Sequence, residues 1–245
     1  MMVRKTNIVI ALMVATAVVF LFANQSQSQD KAASTDKGGG MGYSMFGRGT
    51  IDISDLNARL ESKGYSTMSD NFFSAGGGGH RIFASGLIIG GEGHAVLGEE
   101  ATSGNYKNSV QIGYGFLNLG YIVYSLQELR FYPLLGLGFG GMTFTIKEDV
   151  ASLSLDNVLD NPGRKAEIAT GGVLLNLAVG MDYLLKFGED KTGKAGMVLG
   201  FRAGYTLSPF KGDWGMDDLE ISGAPKIGIT GPYIRLMIGG GGIEK

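Results

Sequence analysis

The residues best equipped for chemistry are Glu92 and His94, two positions apart in LIIGGEGHAVLG (87–98), with the only other histidine at His80. A strand places residues i and i+2 on the same face, so the carboxylate and the imidazole share a side. A carboxylate beside an imidazole is half of a general-base pair, and a serine would complete a hydrolase triad. The same ligands suit zinc or iron, and the surrounding glycines raise phosphate binding as a third chemistry. The dinucleotide fingerprint needs G-x-G-x-x-G opening a helix. Gly91 and Gly93 take its first two places, but Val96 stands in the third and no helix follows. A metal would have to draw on both histidines from adjacent strands, and no spacing singles out a serine nucleophile. The expectation is therefore a protein without catalysis, metal or cofactor, in which Glu92 and His94 have another task.

That task depends on the elements that carry them. LLNLAVGMDYLLKF (174–187) alternates Leu175, Leu177, Val179, Met181, Tyr183, Leu185 and Phe187 with Asn176, Ala178, Gly180, Asp182, Leu184 and Lys186. Period two over such a length is a strand. Residues 197–207 repeat the pattern, and Leu135, Leu137 and Phe139 alternate with Gly136, Gly138 and Gly140. In 110–124 the phase slips near Phe116–Leu117, which predicts a bulge. Eight strands are expected, at 41–48, 73–84, 87–98, 109–125, 130–146, 170–187, 195–208 and 229–241. The connections run long, short, long, short, long, short, long. The first long one carries a short helix with Ser54 as N-cap, Leu56 and Leu60 on one face and Gly64 as its stop.

An even number of antiparallel strands with short turns at one rim and long loops at the other is the pattern of a transmembrane β-barrel. The second face separates this from a water-soluble barrel. Such a barrel would carry Lys, Glu and Thr outside, whereas here that face holds Gly136, Gly138, Gly140, Ala178, Gly180, Gly200 and Gly204. Small residues suit the narrow lumen of eight strands, and the apolar face then meets membrane lipid. Tyr124, Phe131, Tyr132, Tyr183 and Phe187 would form an interfacial girdle. The polar residues on the small face, Asn176, Asp182, Lys186, Arg202 and Arg235, together with Glu92 and His94, would make a hydrogen-bonded ion network in the lumen.

On this pattern the chain, from about residue 41 to 245, resembles the small eight-stranded outer-membrane β-barrels of the OmpX, OmpW and OmpA-domain kind. The resemblance implies an all-β, up-and-down antiparallel barrel in the cell outer membrane. Barrels of this kind commonly finish on an aromatic residue; GPYIRLMIGGGGIEK does not.

Composition agrees with an exported barrel. Glycine occurs 42 times and charged residues make up 18%, below the roughly 25% usual for soluble domains. A net charge of −2 gives no footprint for nucleic acid, and there is no cysteine. Arg4 and Lys5 precede an apolar run (8–23) and a polar NQSQSQ, the layout of a signal peptide. The expected organisation is a signal peptide over 1–28, a flexible leader over 29–40 and a barrel over 41–245. Three functions are open. The first is a structural or surface-interacting barrel with a polar, largely filled lumen, acting through loops 49–72, 147–169 and 209–228, where Trp214 is a binding candidate. The others are a narrow pore for small solutes or apolar molecules, and a lipid-modifying enzyme.

Overall fold

The computed structural model describes residues 38–98, 100–150, 152, 154–160, 162–189 and 193–244. The expected signal peptide and the leader as far as residue 37 lie outside them. Eight long strands form a single ring: β1 (Gly38–Thr50), β2 (Asn71–Phe83), β3 (Leu87–Leu97), β4 (Tyr106–Tyr121), β5 (Leu129–Glu148), β6 (Lys165–Glu189), β7 (Gly193–Lys211) and β8 (Gly231–Glu244). Each pairs antiparallel with its neighbours in sequence, and β1 closes on β8 from Gly38↔Glu244 to Gly49↔Tyr233. Closure leaves the eight-strand ring itself without an open edge, as a strand-built membrane crossing requires. No helix among the described residues is long and apolar enough to cross a membrane.

The β2–β3 turn spans only residues 84–86. Gly86 takes φ +86° and its N–H donates to Phe83 O at 2.8 Å, a left-handed conformation that glycine adopts without steric cost. At the opposite rim the first long loop folds into α1 (Ser54–Ser62). Ile53, not Ser54, occupies the N-cap position; Ser54 lies inside the helix, and its N–H and hydroxyl both donate to Asp52 Oδ1. The aspartate competes better for those donors because a carboxylate is a charged acceptor. Leu56 and Leu60 are buried, and Gly64, at φ +78°, follows the helix end. The connection between β3 and β4 carries a small hairpin in which Glu100–Ser103 pairs with β4 around Gly104.

Two expectations are corrected by the register. β4 runs unbroken past Phe116 and Leu117: Phe116 is 3% exposed and faces inward, Leu117 is 76% exposed and faces out. The apparent slip came from two adjacent large apolar residues, one wanted by the lumen and one by the exterior. The irregularities lie in the β6–β7 pairing instead, between Val173 and Leu175 and between Lys186 and Gly188. Tyr132 does not join the girdle. It is 2% exposed, because its even position gives it the same inward phase as Gly136. Tyr124, Tyr183 and Phe187 do point outward near the short turns.

Leu119, Leu135, Leu137, Phe139, Val179, Ile234, Leu236 and Ile238 form the exposed belt. Glycine, however, is not confined to the lumen. Gly42 of β1 pairs with Gly79 and Gly240, Gly79 with Gly91, and Gly93 with Gly77 and Gly115, all in the outward phase. A Cβ at Gly42 would meet nothing closer than Gly78 O at 3.9 Å. The inward glycines differ: at Gly136 a Cβ would lie 2.6 Å from Asn118 Oδ1 and 3.0 Å from Asn176 Cβ.

Inside, the buried side chains stack in three layers. Toward the short turns lie Met41, Met45, Ile82, Ile88, Tyr132, Leu134, Leu184, Val198 and Met237. Toward the loops, Phe72, Val96, Ile112, Phe116, Phe144 and Leu174 pack under Ile53, Leu56 and Leu60 of the first loop and Trp214, Ile227 and Ile229 of the last. The charged side chains around Glu92 fall between them.

Candidate functional site

Glu92 stands at the centre of the middle layer. Register places it beside Gly78 on β2 and Phe116 on β4. A Cβ at Gly78 would sit 2.9 Å from Glu92 Cα and Cβ, and one at Gly76 would overlap the His94 ring. The glycines of AGGGGH thus make room for the two ionisable residues of the next strand. Directly paired strand residues bring their Cβ atoms to about 4.5–5.5 Å, which leaves little space for two full side chains in so narrow a lumen.

Both oxygens of Glu92 are engaged. Arg202 Nη1 of β7 donates to Oε2, and Arg235 Nη1 of β8 approaches Oε1 at 3.4 Å. His94 Nε2 lies 3.3 Å from Oε1. The side chains of Glu92 and His94 are fully shielded from solvent, and those of the two arginines are 1% exposed. Tyrosines complete the layer. Tyr43 OH is 3.4 Å from Arg202 Nη2 and 3.3 Å from His80 Nδ1. Tyr114 OH accepts from Arg235 Nη2 at 2.8 Å while its ring stacks on His94. The Arg235 guanidinium lies 3.7 Å above the Tyr233 ring, and Tyr233 OH donates to Asn176 Oδ1 at 2.8 Å.

Of the expected lumen residues, Glu92, His94, Asn176, Arg202 and Arg235 meet in this network. Asp182 forms a separate pair nearer the short turns, where both Arg130 Nε and Nη2 donate to its Oδ1 at 2.7 Å. Lys186 lies apart from both. It is exposed at the short-turn rim, paired with Glu128, whose carboxylate also lies 3.8 Å from Lys194. Its distance from the network follows from position: it sits four residues beyond Asp182 along the strand, past the last apolar layer. Trp214 is 2% exposed, its Nε1–H donating to Pro225 O at 2.8 Å. Its indole is therefore packed under the loops rather than presented to a partner.

Sequence reasoning missed Arg130, Tyr43, Tyr114, Tyr233 and His80 as members of the interior. Parity would have found Arg130 and Tyr132, since both share the even phase of Gly136 and Gly138. The tyrosines were less accessible, because an aromatic ring reads equally well as lipid-facing.

This geometry leaves the carboxylate little freedom for general-base work, since two arginines occupy its lone pairs. Among the described residues no three His, Asp or Glu side chains converge as a metal site would demand. What the arrangement does physically is tie strands together across the lumen. β3, β7 and β8 meet through Glu92, Arg202 and Arg235, while β1, β4 and β6 join through Tyr43, Tyr114 and Asn176. Buried charges are tolerated only when paired and hydrogen-bonded in this manner.

No protein-family profile and no curated protein sequence matches the chain. Among solved structures it is similar to Ail, the attachment invasion locus protein of Yersinia pestis, at 9% identity and a TM-score of 0.43, covering 86% of this chain and all of that one. A second structure of Ail, in complex with the heparin analogue sucrose octasulfate, gives 11% identity and a TM-score of 0.42 over 85% of this chain and 99% of that one. The outer membrane protein OprG of Pseudomonas aeruginosa follows at 12% identity and a TM-score of 0.30, covering 86% and 97%. The closed ring, the short turns at one rim with long loops at the other, and the exposed apolar belt give this chain the architecture of a small eight-stranded transmembrane β-barrel.

Proposed function

We propose that this barrel is exported by its amino-terminal segment, holds a closed lumen, and works at the membrane surface through its long loops without catalysing a reaction. The observation that carries the reading is the filling of the interior. An ion-paired layer lies between two apolar ones, and loop residues Ile53, Leu56, Trp214 and Ile229 pack into the mouth. A conducting path would need continuous hydration, which apolar constrictions oppose. The loops also present apolar groups well away from the belt. Leu155 and Leu159 of α2 (Leu155–Asp160) are 72% and 68% exposed in the β5–β6 connection, and exposed apolar groups of this kind mark interaction surfaces.

Planar-bilayer recording of the refolded protein tests the closed lumen. The wild type is expected to be silent. Steady unitary conductance that changes in Arg202→Ala would replace this reading with a solute pore. The role of the loops is tested on whole cells: deleting residues 149–164 should leave the barrel in the membrane fraction and abolish adhesion or partner binding at the surface. Retention of such binding in the deletion would exclude that loop.

A further inference from the structure

The buried charges of the lumen do not balance. Three arginines, Arg130, Arg202 and Arg235, face two carboxylates, Glu92 and Asp182. Arg130 and Asp182 neutralise each other, so Glu92 is left to serve both Arg202 and Arg235. His80 and His94 contribute either nothing or further positive charge. One uncompensated cation inside a lipid-encased barrel is costly, because water and mobile counterions are largely excluded and the Coulomb energy is weakly screened.

Arg235 is the less well matched of the two. Its contact with Glu92 is the longer, at 3.4 Å, and its buried Nε, like that of Arg202, has no hydrogen-bond partner in the protein. Arg235 also borders a small cavity between the polar layer and the apolar plug. The cavity measures about 20 Å³; its wall is mostly apolar, and Thr50, Ser74, Tyr114, Thr206 and Tyr233 are its polar members beside Arg235. That is room for a body about the size of one water molecule. The hydroxyls of Ser74, Thr206 and Tyr114 remain able to donate beside this guanidinium, and a space this size suits a single halide ion better than a polyatomic anion.

We infer that the lumen binds one small monovalent anion of halide size against Arg235, where it supplies the missing negative charge. This site is independent of what the loops recognise, and it would exist in a silent barrel or in a pore.

The test uses the full barrel refolded in detergent at constant ionic strength, with sodium gluconate replaced stepwise by chloride or bromide. Ligand that binds only the folded state raises the unfolding midpoint in a saturable way. The wild type should show this rise with either halide and none with gluconate. Arg235→Met removes the surplus charge and should lose the halide dependence. Glu92→Gln enlarges the surplus and should steepen it. Crystals grown in bromide should give an anomalous peak within contact distance of Arg235. A wild-type midpoint indifferent to halide, or an Arg235→Met variant with unchanged dependence, would overturn the inference. If Arg235→Met does not fold, the bromide data on the wild type decide: peaks confined to the surface refute the site.

Discussion

Removing the carboxylate at the centre of the lumen should be among the most damaging conservative changes in the barrel. In Glu92→Gln the side chain keeps its shape and one acceptor oxygen, but Arg202 and Arg235 lose their shared counter-charge. The Glu92 side chain is fully buried and each arginine is 1% exposed, so solvent does not absorb the change. Deleting one partner of a buried ion pair costs about 3–5 kcal/mol. The retained amide oxygen argues for the lower end and the involvement of two arginines for the upper. At 1.4 kcal/mol per decade, that is roughly two to four decades in the unfolding equilibrium. Urea titration of the barrel refolded into lipid vesicles measures it. Heat-modifiable gel mobility follows the ring, and the fluorescence of Trp214, the single tryptophan, follows closure of the mouth. Glu167→Gln is the control, because its pair with Lys165 is more than half exposed on both sides and pairs of that kind contribute about 0–1 kcal/mol. A Glu92→Gln midpoint no lower than that of Glu167→Gln would refute the claim that the polar layer ties the strands together.

Other expectations concern the packing around that layer. Gly180→Ala should destabilise by about 1–3 kcal/mol, because its Cβ would overlap the Tyr132 ring. The outward Gly42→Ala should instead gain about 0.5–1 kcal/mol, both read by the same urea titration. Leu135→Arg, on the exposed belt at 52%, should cost about 2–4 kcal/mol if that face meets the bilayer core; equal midpoints would place it in water. Trp214→Ala should loosen the mouth while leaving the ring intact. Limited proteolysis would then cut between residues 209 and 228 at an enzyme concentration that spares the wild type, with the gel-mobility shift unchanged.

The legibility of this protein follows from the physics of its strands. Period-two alternation and loop lengths are local properties, so strand number, order and the two unequal rims could be read from residues alone. The inward phase of Asn176, Asp182 and Arg202 followed from the same alternation, because each lies opposite an unambiguous apolar stripe. Reading failed where both faces are equally small or equally large. In AGGGGH and MGYSMFG glycine lies on both sides of the wall, and at Phe116–Leu117 two apolar residues compete for one description. There only the cross-strand register assigns a face.

The sequence by itself determined that this chain closes a sheet of eight strands, with long loops at one end and ionisable groups inside. It could not say which charges meet. Glu92 lies more than a hundred residues from both Arg202 and Arg235, and Arg130 finds Asp182 only because β5 and β6 pair in one register. Tertiary structure decided that Lys186 stays at the rim, that Trp214 turns inward, and that the interior is layered rather than uniformly polar. The reason is common to all three. Alternation sets the face of each side chain, but its height in the lumen, and hence its partners, is set by the stagger of strands around a closed ring.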